Sequence, residues 1–190
     1  MNRIMYKVLA LVIIGLMMSC AKDKKEPTKN IEDTPVTEEG SVKEDKDLDL
    51  TSSKSEVVFG DEKITKLYNQ YLLVKKQLVN SKSKLVQKEA KKLGELIDDS
   101  DENKQLKATA KLISLTKEIK KQRDFFVTLT EETEKIIGGA TITSGKVYKQ
   151  FCPMAFGGNG GYWLSNSDEV RNPYYGNEML ICGKVDTTIQ

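Results

Sequence analysis

The stretch DEKITKLYNQYLLVKKQLVN, residues 61–80, decides the fold class. Its large apolar residues recur at spacings of three and four, which is the period of an amphipathic α-helix. Gly60 and Asp61 provide a start signal, and Asn80-Ser81 marks a break. The stretch therefore predicts one helix with an apolar face. That face consists of Ile64, Leu67, Tyr68, Tyr71, Leu72, Val74 and Leu78.

The helical period continues as far as Gly138-Gly139, which stops the last helix. An acidic run at residues 98–101 ends the second helix. No proline or glycine lies between Gln105 and Ile137, so one long bent helix is the alternative to separate third and fourth helices. Short connections favour antiparallel neighbours, which predicts an up-down bundle of three to four helices. The positions that line the faces of the later helices are Leu85, Val86, Ala90, Leu93, Leu96, Ile97, Leu106, Ala110, Ile113, Leu115, Ile119, Phe125, Phe126, Leu129, Thr133, Ile136 and Ile137.

The helical period disappears after Gly145. The tail scatters aromatic residues among glycines, prolines and asparagines, which makes it too aromatic to be disordered and too broken for regular elements. We therefore expect an irregular C-terminal cap, rich in Cys, Gly and aromatic residues, packed on the bundle. The resulting domain, residues 58–190, is predicted to be mainly α.

Residues 1–19 have the pattern of a lipoprotein signal peptide. A basic start and an apolar run are followed by Ser19 and Cys20, and the apolar run is too short for a membrane span. We expect Cys20 to be lipidated, with an ordinary signal peptide and a chance cysteine as the alternative. Residues 20–57 hold few large apolar side chains, which predicts a disordered charged linker.

The composition argues against several functions. The chain has no histidine, which removes the usual Ser-His-Asp and Cys-His catalytic sets, and it has no phosphate-binding glycine motif. We therefore expect a protein that is not an enzyme. The net charge of +2 and the interspersed signs give little support to nucleic-acid binding. Lysine pairs such as Lys75-Lys76 are interpreted as the solvated faces of helices.

Two sulfur-containing clusters stand near the C-terminus. Cys152 and Met154 flank one proline, and Met179 and Cys182 are three residues apart. Together they would offer two thiolates and two thioethers, a soft ligand set that favours Cu(I) or Ag(I). The alternative is a Cys152–Cys182 disulfide, because an exported protein meets an oxidising compartment. A redox switch between both states is a third hypothesis.

The tail also carries a family resemblance. Its motifs are Cys152-Pro153-Met154-Ala155, Tyr162-Trp163-Leu164, Arg171-Asn172-Pro173-Tyr174 and Met179-Leu180 with Cys182-Gly183, preceded by Tyr148 and, in the helical part, by Gln122-Arg123 with Phe126. They resemble an uncharacterised helical domain of gram-negative exported lipoproteins. That domain is also appended to the adaptor subunits (membrane fusion proteins) of copper and silver efflux pumps. The resemblance implies an association with metal handling, without a mechanism.

These observations lead to one functional prediction and one alternative. The prediction is a membrane-anchored lipoprotein, facing the periplasm or exposed at the cell surface, that binds Cu(I) as an accessory to metal efflux. A heavy-metal efflux adaptor protein is its expected partner. The alternative is a structural or interaction lipoprotein without metal, whose disulfide supports a docking surface formed by Trp163, Arg171 and Tyr174.

Overall fold

The computed structural model of the protein describes residues 46–190. The predicted signal peptide, Cys20 and the linker as far as residue 45 lie outside the described residues. No helix within 46–190 is long and apolar enough to span a membrane. The elements of this part of the chain are β1 (Val58–Phe59), α1 (Glu62–Val79), α2 (Ser83–Leu96), α3 (Lys104–Leu115), α4 (Ile119–Gly138), β2 (Ile142–Ser144), β3 (Val147–Cys152), α5 (Ala155–Gly158), β4 (Gly161–Ser165), a 3-10 helix (Gly176–Met179) and β5 (Lys184–Ile189).

The four long helices form the predicted up-down bundle. Each packs against the next in sequence, and α1 also packs against α4, which closes the bundle. The first helix begins where the sequence predicts, because the Asp61 carboxylate accepts a hydrogen bond from the Lys63 N–H at 2.7 Å. Leu85, Leu96 and Leu115 of the predicted faces are 39%, 48% and 68% exposed, whereas most of the remaining positions form or pack against the core. Its largest wholly buried side chains in the helices are Tyr68, Tyr71, Leu78, Leu93, Leu106, Ile113, Phe126, Leu129 and Ile137.

Helices α3 and α4 are separate, so the alternative of one long bent helix is wrong. The break spans residues 116–118. The buried Gln122 amide donates a hydrogen bond to the Thr116 carbonyl at 2.7 Å and another to the Ser83 carbonyl at 3.1 Å. The first bond satisfies a carbonyl group at the helix end, and the second ties the break to α2.

The C-terminal tail contains a small antiparallel sheet, so the expectation of a wholly irregular cap is wrong. The strand order is β4-β3-β5. Gln150 lies opposite Trp163 on one side of β3, and Phe151 lies opposite Lys184 on the other. Strand β4 packs against α4, which seats the sheet on the bundle. A second antiparallel pair, β1 with β2, connects the chain just before α1 to the chain just after α4.

Residues 46–57, which we name the N-terminal strap, pack on the domain. The sequence assigned them to the disordered linker, and this part of the prediction is wrong. The Leu48 N–H donates a hydrogen bond to the Asn80 side chain at 2.9 Å, and the Ser55 N–H donates to the Asn166 carbonyl at 2.9 Å. The ordered domain therefore extends across the predicted boundary at residue 58.

A buried ion pair fastens the strap to α1. The Asp49 carboxylate lies 2.7 Å from the Lys75 ammonium, and each side chain is only 3% exposed. Lys54 approaches the other carboxylate oxygen at 3.0 Å. Burial lowers the pKa of Lys75, and the Asp49 charge opposes this shift. Lys75 is thus not part of a solvated helix face.

Candidate functional site: a pair of adjacent thiols

The structure brings the two sulfur clusters together at their cysteines. Cys152 ends β3, and Cys182 lies two residues before β5. Because Phe151 pairs with Lys184, the two cysteines meet at the end of the β3–β5 ladder. Both are free thiols, and their Sγ atoms are 3.0 Å apart. The expected convergence of the two clusters is confirmed for the cysteines.

The two thiols differ in their surroundings. Cys152 is wholly buried, whereas Cys182 is partly exposed. A hydrogen bond with the Cys152 thiol raises the pKa of Cys182, and partial desolvation and the neighbouring sulfur act in the same direction. One thiol therefore lies within the core, and the other lies at its edge with partial access to solvent.

Asn172 holds the loop that carries Cys182. Its side chain is buried and donates a hydrogen bond to the Cys182 carbonyl at 2.8 Å. Its N–H donates to the Leu180 carbonyl at 2.8 Å, while its side-chain oxygen accepts from the Tyr174 N–H at 2.8 Å. Sequence reasoning quoted Asn172 only as part of a motif. The available signal was an asparagine directly before a proline, in the run Arg171-Asn172-Pro173.

Gly183 lets the chain pass over the indole of Trp163. Its φ angle is +144°, and a Cβ atom at this position would lie 2.8 Å from Trp163 Cη2 and 2.9 Å from the Phe151 carbonyl oxygen. A larger residue would therefore displace the loop that follows Cys182. Trp163 is therefore a buried packing residue beneath the loop that follows Cys182.

The two methionines are placed differently. Met154 is 54% exposed and lines an open, mostly apolar cavity of about 380 Å³ beside the thiols. Cys182, Pro153 and Lys184 line the same cavity. Met179 ends the 3-10 helix, where its carbonyl accepts the Cys182 N–H at 3.1 Å. Of the two methionines in the described part of the chain, Met154 lines this cavity and Met179 does not.

The predicted docking surface is wrong, because two of its three members are buried. Trp163 is wholly buried and donates its Nε1–H to Gln150 at 2.6 Å. Tyr174 is 6% exposed and donates its hydroxyl to the Tyr162 carbonyl. Arg171 pairs with Glu169 at 3.1 Å and donates to a strap carbonyl. All three residues hold the domain together.

The described residues contain no cluster of side chains typical of a site for a harder metal ion. Within residues 46–190, no group of three or more His, Cys, Asp or Glu side chains is placed to hold a metal ion. The donors that the structure does bring together are the thiols of Cys152 and Cys182, with Met154 on the adjoining cavity. This set consists of soft sulfur ligands.

Residues 67–145 match a protein-family model. Its description is "Protein of unknown function (DUF3347)". The DUF3347 match runs from within α1 to just beyond β2, so it covers most of the helical bundle. It confirms an uncharacterised domain, although the motifs of the expected resemblance lie mainly outside the matched residues. No curated protein and no solved structure matches the chain.

Proposed function

We propose that the protein binds a soft monovalent metal ion, Cu(I) or equally Ag(I), at the thiols of Cys152 and Cys182. The observation that carries the proposal is the 3.0 Å separation of the two sulfurs, beside a cavity that Met154 also lines. Thiolate and thioether ligands select Cu(I) over the harder divalent ions. Met154 is the third ligand in this proposal.

The geometry of the pair is close to what a shared metal requires. With metal–sulfur bonds of about 2.3 Å and the angle of about 120° of a three-ligand site, two ligating sulfurs stand roughly 4.0 Å apart. The Cys182 sulfur would therefore turn outward by about 1 Å, into the space of the cavity. A Cu(I) ion on two thiolates carries a net negative charge, which the ammonium of Lys184 on the cavity wall would stabilise.

We further propose that this site works outside the cytoplasm, on a chain anchored to a bacterial membrane through lipid on Cys20. The support is the signal pattern of residues 1–20 and the resemblance to exported lipoproteins. The same resemblance supports a role as an accessory to metal efflux, with an efflux adaptor protein as the partner. The proposed role is binding and transfer, not catalysis.

A second function is favoured by the same sulfur distance. A Cys152–Cys182 disulfide would close a loop across a sequence separation of 30 residues and stabilise the domain by about 3.5 kcal/mol on the chain-entropy model. In that case the pair fastens the Cys182 loop to β3 as a structural bond. The burial of Trp163 and Tyr174 removes the docking surface that the sequence coupled to this alternative.

The test is Cu(I) competition between the fully reduced protein and a chromogenic chelator of weak affinity. Cys182→Ser should abolish binding, and Met154→Leu should weaken it about tenfold, equivalent to about 1.4 kcal/mol. The Met154 change nearly preserves volume, so thermal stability should change little. Met179→Leu is the matched comparison, because it makes the same chemical change outside the cavity lining.

The outcomes separate the alternatives. If the reduced wild-type protein loses Cu(I) to the chelator, the metal proposal is wrong and the structural Cys152–Cys182 disulfide remains. A larger loss of affinity for Met179→Leu than for Met154→Leu would move the third ligand to Met179, as the sequence pattern alone allowed. Equal affinity of Met154→Leu and wild type would restrict the site to the two thiols.

A further inference from the structure

We propose that the thiol pair is also a site of thiol–disulfide exchange, in which Cys182 is the sulfur that an external disulfide reaches and Cys152 is the resolving thiol. This inference concerns the same two sulfurs as the proposed function. Only one consequence rests on that function, namely that oxidation removes the metal ligands. The exchange itself needs no metal.

The difference in access assigns the two roles. Cys182 is partly exposed and lines the cavity of about 380 Å³, which opens beside exposed Pro153 and Met154. Cys152 is wholly buried behind it. A disulfide oxidant small enough to enter the cavity can therefore meet the Cys182 sulfur but not the Cys152 sulfur. Access is one of the factors that decide which sulfur exchanges.

The backbone keeps the resolving thiol in place. Cys152 lies in the central strand β3, opposite Gly161 of β4, and its neighbour Phe151 pairs with Lys184 of β5. The Cys182 carbonyl is held by Asn172 at 2.8 Å. A rotation of the Cys182 side chain toward the cavity does not require β3 to move. When the side chain returns to the position seen here, its sulfur lies 3.0 Å from the Cys152 sulfur that attacks it.

With glutathione disulfide as the oxidant, the reaction proceeds in two exchange steps. The Cys182 thiolate attacks one sulfur of glutathione disulfide, forming a mixed disulfide and releasing one glutathione thiolate. The Cys152 thiolate then attacks the Cys182 sulfur, which forms the Cys152–Cys182 bond and releases the second glutathione thiolate. The two protons end on the released thiols. Two electrons pass from the protein sulfurs to the oxidant.

This reaction would govern metal binding at the same atoms. Both thiolates are needed as ligands, and neither is present in the disulfide. Oxidation would therefore release a bound soft metal, and reduction would restore the site.

The experiment uses two single variants, Cys152→Ser and Cys182→Ser, exposed to glutathione disulfide without metal. Peptide mapping by mass spectrometry assigns each adduct to its cysteine, so Cys20 does not interfere. We expect Cys152→Ser to accumulate a glutathione adduct at Cys182. In Cys182→Ser, modification of Cys152 should be about 100-fold slower, because it requires local opening of the sheet. The wild-type protein should form the internal disulfide without a lasting adduct.

The matched control repeats both variants in denaturant, where the two cysteines should react at similar rates. Equal rates in the native variants, or a wild-type protein that stays a dithiol in excess glutathione disulfide, would overturn the proposal. A folded protein that exchanges as described but releases Cu(I) to a weak chelator would support the exchange site and remove the metal function. The two proposals can therefore fail separately.

Discussion

Asp49→Ala is expected to destabilise the domain more than any exposed charge substitution. The Asp49 carboxylate and the Lys75 ammonium lie 2.7 Å apart, and both side chains are 3% exposed. Removing the carboxylate leaves a buried ammonium without its counter-charge. The nearby cations of Lys54 and Arg171 also disfavour the charged form of Lys75, so they add to the loss.

The size of the effect follows from the burial. Breaking a buried ion pair from one side typically costs about 3–5 kcal/mol. The strap can partly detach and admit water to Lys75, which limits the loss, so we expect about 3 kcal/mol, the low end of that range. At about 2–4 °C per kcal/mol for a domain of this size, Tm should fall by about 6–12 °C.

The assay is thermal and urea unfolding of the purified protein followed by circular dichroism. Lys66→Ala is the matched control, because Lys66 and Glu62 are also 2.7 Å apart but are 62% and 79% exposed. It should change the free energy of unfolding by no more than about 0.5 kcal/mol. Asp49→Ala combined with Lys75→Met should recover most of the lost stability. Equal effects of Asp49→Ala and Lys66→Ala would refute the reasoning.

Two further predictions concern acid stability and the anchor. Although partial burial acts in the opposite direction, hydrogen bonds from Lys76 and Asn80 hold the pKa of Asp47 at about 2, below its usual 3.8. The contribution of Asp47 to the free energy of unfolding should be complete above about pH 4 and disappear toward pH 2. Asp47→Asn should therefore flatten a plot of the free energy of unfolding against pH in this range. The same slope in the variant and the wild type would contradict the prediction. Cys20→Ala should block incorporation of labelled fatty acid. If the Cys20→Ala protein still incorporates the label, the lipoprotein proposal is wrong.

The helices could be predicted because their signal is local. Apolar residues at the helical period need only neighbours within a few turns, and the first break coincides with Asn80-Ser81. The break between α3 and α4 has no such signal. It depends on the buried amide of Gln122, one of whose partners is the distant Ser83 carbonyl. A contact 39 residues away leaves no mark in a local pattern.

The sheet and the strap were missed for related reasons. Strands β3, β4 and β5 contain only five or six residues each, and turn-forming residues interrupt the tail between them. The strap has the composition of a disordered segment, but a count of apolar residues does not detect hydrogen bonds and ion pairs. Asp49 is ordered by a lysine in α1, and the sequence alone does not reveal which lysine is buried.

The convergence of the two cysteines was predictable, whereas the residues that set the distance between their sulfurs were not. Pairing on both sides of β3 holds the backbone of Cys152, and its side chain is wholly buried, so we expect changes in sulfur separation mainly on the Cys182 side. Asn172 holds that loop through the Cys182 carbonyl, and Gly183 lets it cross Trp163 without a clash. Neither residue offers a sulfur. Both restrict how far the Cys182 thiol can move, and that range decides between a dithiol, a shared metal and a disulfide.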